Sequence, residues 1–74
     1  MIAKVQTVNV VKMDTFNVLG VTSFYDTPEG NKEAEELFAS LAKENGAREE
    51  DIDSYIEDGY YSPDSYQIFI THSN

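Results

Sequence analysis

Four tyrosines, Tyr55, Tyr60, Tyr61 and Tyr66, fall within twelve residues, with Glu57 and Asp58 among them and Phe69 just beyond. Aromatic faces beside carboxylates suit a cationic, partly apolar ligand, which they attract through cation–π contacts and charge. The same residues also suit a protein interface, where tyrosine is enriched. Ordinary sheet packing accounts for them as well, because tyrosine is a good strand residue. A second cluster, Glu49, Glu50, Asp51 and Asp53, offers the oxygens a hard cation takes. Its spacing is not that of an EF-hand loop and no glycine stands at the turn position, so it reads as a solvated face and no metal is expected. The single histidine, His72, lies in the last three residues. There an imidazole is not held in place as general-base catalysis requires, and it reads as solvent-exposed. No cysteine is present, so there is no thiolate nucleophile or ligand and no disulfide. No serine or threonine stands in a nucleophile elbow or a triad. The residues therefore point to a binding protein rather than an enzyme, with no catalytic residue and no cofactor.

Length and charge bound what surrounds these groups. Seventy-four residues make one domain, residues 1–74. A chain of this size buries only about 60 % of its unfolded surface, which leaves stability thin. Self-association is one route to more buried area. Fourteen acids against five bases give a formal charge of −9, which repels nucleic-acid phosphates and argues against direct binding of DNA or RNA. That charge permits a basic protein partner, whose DNA site such a chain would occupy as a mimic, and it also keeps a small domain soluble. No apolar run approaches the roughly 18 residues that span a bilayer. The opening "MIAKVQTVNVV" lacks a signal-type hydrophobic block. With no cysteine, the expectation is a cytoplasmic protein with no membrane segment.

The elements that must position the aromatic group can be read along the chain. Ile2, Val5, Val8, Val10 and Val11 among Thr and Asn predict a strand over 2–11 with imperfect alternation, and Asp14-Thr15 a turn. "FNVLGVTSFY", 16–25, is the strongest strand. Phe16, Val18, Thr22 and Phe24 fall on one face, Leu19 and Val21 on the other, and two apolar faces predict a central strand or one covered on both sides. Gly20 marks a bulge, a bend or a close approach to the backbone. Thr27-Pro28-Glu29 is a helix start, with a capping hydroxyl, a proline where a missing N–H costs nothing, and an acid at the positive end of the dipole. Gly30 and Asn31 weaken that first turn, moving the expected start towards Asn31. Ala34, Leu37, Phe38, Leu41 and Ala42 form one apolar stripe, and Asn45-Gly46 closes the helix. Over 48–58, Ile52, Tyr55 and Ile56 can form a helical face, but the preferred reading is a loop or helical turn to about 53, then a strand to Tyr61. "SPDS", 62–65, is a turn, "YQIFIT", 66–71, is the closing strand, and "HSN" is expected to fray. Tyr60 and Tyr61 must face opposite ways in a regular strand. The sum is α+β: an antiparallel sheet of about four strands with one amphipathic helix packed on one face.

Two segments, "VKMDTFNVLGVTSFYD" and "YIEDGYYSPDSYQIFI", together resemble the GyrI-like small-molecule-binding domains, which also serve as effector domains of some AraC-type regulators. Phe16, Val18 and Gly20 stand where that family has its opening "f-x-v-x-G" strand, and Gly59, Tyr60 and Tyr66 match its later "y-G-v-y" strand and hairpin partner. The family tryptophan is absent, with Phe38 in its region. The pocket glutamate of the family's second half has no position here. Family members are about twice as long, built of two strand-helix-strand-strand modules with the ligand between them, and this chain holds one such module. The resemblance therefore implies a homodimer that completes the groove, the same patch meeting itself. It also implies a small-molecule ligand, which the tyrosines and nearby carboxylates make cationic or aromatic. On strand position and chemistry, Phe24, Tyr60 and Tyr66 are expected as walls and Glu57 as the charge partner. The alternative is an acidic inhibitor or adaptor that occupies a basic site on another protein.

Overall fold

The computed structural model describes residues 6–63 and 66–73. Its framework is set by β1 (Thr7–Met13), which carries apolar residues on both faces. Val8 and Val10 turn to one side and Val11 to the other, and all three are buried. Such a strand belongs in the middle of a sheet, with a neighbour on each edge. It pairs antiparallel with β2 (Val18–Tyr25), from Thr7↔Tyr25 to Lys12↔Gly20, with a bulge between Lys12 and Met13. Its other edge pairs antiparallel with β4 (Gln67–Ser73), from Thr7↔Ser73 to Met13↔Gln67. A two-residue β3 (Tyr60–Tyr61) closes the far edge, with Tyr60 opposite Phe69 and Tyr61 opposite Ile68. The sheet order is β2-β1-β4-β3.

The turn between β1 and β2 is where Asp14-Thr15 predicts one. The Asp14 N–H donates to the Asn17 carbonyl, and the Asp14 carboxylate accepts the backbone N–H groups of Phe16 at 3.0 Å and Asn17 at 2.7 Å. These donors favour the ionised form and hold the Asp14 carboxyl below the usual carboxylate range. A depressed folded-state pKa makes a stability contribution that is present above the unfolded value and fades as pH falls through the folded one. In a carboxyl-carbon NMR titration, Asp14 should therefore titrate below an ordinary aspartate side chain. A midpoint at or above the ordinary aspartate value would show that the turn does not hold its carboxylate.

One face of the sheet is covered by α1 (Pro28–Glu44). Thr27 caps it, its Oγ1 accepting the Gly30 N–H at 3.0 Å, and Pro28 takes the first helical position. The helix thus begins at Pro28 and not near Asn31, because the cap and the proline outweigh the low propensity of Gly30 and Asn31. Asn45 closes it, its Nδ2 donating to the Leu41 carbonyl at 2.7 Å, before Gly46 at φ +101°. Ala34, Phe38 and Ala42 meet Val8, Val10 and Ile68 in the core.

Residues 48–58 correct the expected loop and strand. A 3₁₀ turn (Glu49–Asp51) leads into a second helix, α2 (Ile52–Asp58). Ile52 is buried in the core cluster, with Tyr55 and Ile56 packed against it. Three apolar side chains at helical spacing win over the strand propensity of tyrosine, and Gly59, at φ +80°, ends the helix in the left-handed region. The strand expected from about 54 to 61 shrinks to Tyr60–Tyr61.

Three further expectations change. β2 is an edge strand, not a central one; among its residues only Phe24 is even partly buried. In β2 the exposed Thr22 and Ser23 interrupt both faces, whereas β1 buries Val8 and Val10 on one face and Val11 on the other and takes the middle. His72 does not fray; it pairs with Val8 inside β4. Ile2 and Val5, and Asp64 and Ser65 of the predicted turn, lie outside the described residues. The α+β reading holds, with two helices against a four-stranded antiparallel sheet. No helix among the described residues is long and apolar enough to cross a membrane.

Candidate functional site: the helix-free face of the sheet

Both helices pack on the face that carries Val8, Val10 and Ile68. Strand alternation then puts Thr7, Asn9, Val11 and Met13 of β1 on the opposite, uncovered face. With them come Val21, Ser23 and Tyr25 of β2, Gln67, Phe69 and Thr71 of β4, and Tyr60 of β3. None of these residues is charged.

The registers align part of this face into two rows. Val21 lies opposite Val11, Val11 opposite Phe69, and Phe69 opposite Tyr60, so one apolar row crosses all four strands. Val11 is 8 % exposed and is the buried hydrophobic outside the helix-side core cluster among the described residues; it is the centre of a second, smaller apolar patch. At the two ends of the row, Val21 is 54 % and Tyr60 59 % exposed. The neighbouring row is polar and hydrogen-bonded. Ser23 Oγ donates to Asn9 Oδ1 at 2.6 Å, and Asn9 Nδ2 donates to Thr71 Oγ1 at 3.4 Å. This ladder fixes the Asn9 amide and joins β2, β1 and β4 on the open side. Beyond Phe69 and Tyr60, Ser62 and Gln67 help to shape a shallow hollow of about 350 Å³.

The four predicted site residues fall in different places. Tyr60 is on the open face, as the alternation of Tyr60 and Tyr61 requires. Tyr61 turns under the helices, its ring 4.7 Å from that of Tyr55 and its hydroxyl donating to the Asn45 carbonyl at 3.2 Å. Phe24 points to the helix side, packs against the core, and borders a hollow of about 500 Å³ between the end of β2 and the first turn of α1, beside Glu29 and Glu33. Glu57 sits on α2 and lines a separate hollow of about 190 Å³ with Ile70 and His72. Tyr66 precedes β4, and the Lys12 ammonium lies 5.2 Å from its ring centroid, so the chain itself supplies a cation to that ring. The residues that build the open face but were missed from sequence are Val11, Val21, Phe69 and Asn9. Their signal is the period-two pattern of β1, β2 and β4, which becomes a surface only once the strand order and register are known.

The acids follow a different layer. Eleven of the fourteen lie between Pro28 and Asp58, on or between the two helices. Part of the 49–53 cluster is engaged by cations of the chain: Lys43 Nζ is 3.5 Å from Glu49, and Arg48 lies 3.5 Å from Glu50 and 4.0 Å from Asp51. These pairs are solvent-exposed and contribute little to stability. Among the described residues no group of three or more His, Asp or Glu is placed to hold a metal ion.

Compared with known proteins, the chain matches no family model, no curated protein and no solved structure.

Proposed function

We propose that this chain is a non-enzymatic binding module that works as a homodimer, and that the helix-free face of its sheet receives a flat aromatic ligand, cationic for preference. One observation carries the reading: the uncharged row Val21–Val11–Phe69–Tyr60 crosses the whole sheet beside a hydrogen-bonded polar row. Apolar breadth with a few fixed polar groups is the usual make-up of a small-molecule site. The −9 charge of the chain draws cations towards it without placing a carboxylate in the row itself. The resemblance to GyrI-like domains supports a small ligand and the need for two modules. The expected set Phe24, Glu57, Tyr60 and Tyr66 is replaced in this reading by Tyr60, Phe69, Val11 and Val21.

The test uses thioflavin T, a cationic aromatic dye whose fluorescence rises when it is held rigid. Tyr60→Ala and Val21→Ser, both at exposed positions, should each weaken its binding roughly tenfold, the scale of a contact that matters. Binding by both variants equal to that of the parent would overturn the reading. A second reading rests on the segregation of acids into the helical layer: that layer would occupy a basic site on another protein. Salt separates the two, because exposed charge contacts fade as the Debye length falls from about 10 Å at 0.1 M to 3 Å at 1 M, whereas contact with the apolar row persists.

A further inference from the structure

The free edge of β2 is unusual for a small acidic domain. Eight residues long, Val18–Tyr25 carries no charge and no proline, although an edge strand is commonly protected by one or the other. The Asp26 N–H donates to the Gln6 carbonyl at 3.0 Å. By alternation, Phe24 and Thr22 direct their backbone groups at β1, while Val21, Ser23 and Tyr25 direct theirs away from the sheet. The Tyr25 carbonyl already accepts the Thr27 N–H. That leaves the N–H and C=O of Val21 and Ser23, and the N–H of Tyr25, facing outward with no strand of the described residues beside them.

We infer that β2 is a self-pairing edge: two copies join antiparallel through Val18–Tyr25 about a twofold axis at Thr22, extending the sheet to eight strands. This rests on the dimeric half of the reading above and supplies its interface. Only registers in which outward-facing residues meet each other satisfy the free groups, so the axis passes through a residue and not between two. With Thr22 on the axis, Val21 meets Ser23 of the second copy and Ser23 meets its Val21, giving about four backbone hydrogen bonds.

Three observations favour this register. First, it sets Gly20 opposite Phe24 of the second copy. A side chain added at Gly20 would meet nothing within 4 Å. The space beside it is a hollow of about 160 Å³ bounded by Val10, Leu19, Leu37 and Leu41, with Lys12 and Thr22 also on its wall. An aromatic ring laid across an edge glycine fills such a gap. Second, the antiparallel layout keeps the Asp26, Glu29 and Glu33 ends of the two copies apart and sets each towards the partner's Lys12–Asp14 turn, where the two charges cancel. Third, Phe16, Val18, Leu19, Val21 and Tyr25 are each more than half exposed.

Because the chain has no cysteine, single cysteines read the register directly. A residue on the axis in a non-hydrogen-bonded pair has its Cα about 4.5 Å from its counterpart, within the range a disulfide accepts. Under mild oxidation Thr22→Cys should convert to covalent dimer, while Val21→Cys, Ser23→Cys and the helix-surface control Ser40→Cys should stay largely monomeric on non-reducing gels. The untreated parent should elute as a dimer by light scattering. Ser23→Pro, which removes the outward N–H together with the Ser23–Asn9 side-chain hydrogen bond, should elute as a monomer with its circular dichroism spectrum largely retained, and Ser23→Ala, which removes the side-chain bond alone, should remain a dimer. A parent that is monomeric at all concentrations overturns the proposal, and so does cross-linking at Val21→Cys or Ser23→Cys in place of Thr22→Cys, or equal cross-linking at Ser40→Cys. Thioflavin T titration of the same samples keeps the two ideas apart. Dye binding by a monomeric parent rejects the edge and retains the binding face. A cross-linked Thr22→Cys dimer that ignores the dye retains the edge and rejects the binding face.

Discussion

Phe38→Ala should move the unfolding transition to much lower denaturant at 25 °C, with the loss of a large share of the stability of the fold. Phe38 is fully buried and is the one large side chain that α1 buries completely; its other buried positions are Gly30, Ala34 and Ala42. The ring therefore fills most of the space between α1 and the Val8, Val10 and Ile68 surface of the sheet. Truncating a buried phenylalanine to alanine costs about 3–5 kcal/mol, because the removed carbons lose their burial and the neighbours collapse only in part. A 74-residue domain has roughly 4–11 kcal/mol in total at ordinary stability per residue. The loss is thus a large share of everything that holds the fold. Urea titration followed by circular dichroism, with Phe38→Leu as the volume-retaining control, checks this. Phe38→Leu should lower the midpoint less. A Phe38→Ala midpoint within the equivalent of about 1 kcal/mol of the parent would mean that the core does not turn on this ring.

Gly30→Ala should destabilise, against the usual sign for that substitution in a helix. In an open first turn, alanine gains up to about 1 kcal/mol over glycine by lowering the entropy of the unfolded chain. Here the added carbon would collide with the Tyr25 carbonyl oxygen and lie 2.9 Å from the carbonyl carbon. Both are backbone atoms at the end of β2, and the same carbonyl accepts the Thr27 N–H at 2.9 Å. Neither side can swing away as a flexible side chain would. The start of α1 must shift off the sheet, at the about 1–3 kcal/mol typical of overpacking. The same shift would disturb the hollow lined by Phe24, Glu29 and Glu33. A fall in the denaturation midpoint supports this account. A rise would show that the junction of β2 and α1 is looser than the close approach implies.

Gly30 also shows where sequence stops being informative. From composition it weakens a helix, and the tertiary contact that requires it is invisible. What was legible was local. Thr27-Pro28, the Ala34–Ala42 stripe, Asn45-Gly46 and the Asp14 turn each depend on residues within a few positions. The alternation of Tyr60 and Tyr61 was legible for the same reason. Two features were not. In 48–58 six acids masked the Ile52, Tyr55 and Ile56 face, and the strand propensity of tyrosine pulled the reading the wrong way. The place of β2 in the sheet depends on β4 taking the far side of β1, a pairing across some sixty residues that no window on the chain contains. The candidate site suffers most from this. Its apolar row joins one residue from each of four strands, so the register makes it. Chemistry alone suggested Phe24 and Glu57, which face the helical side.

The adjacency of β1 and β4 has a kinetic consequence. The hairpin of β1 and β2 can close quickly, since its strands are joined by a short turn. Its apolar inner surface then has to wait for residues 67–73, which complete the centre of the sheet only after α1 and α2 have been traversed. Closing so long a loop is entropically costly before its contacts repay it. Among the strand pairings of this sheet, the docking of β4 along β1 therefore carries the largest loop-closure cost. Until it docks, the second edge of β1 stands open, and the search for the native state is also a race against pairing with the wrong strand.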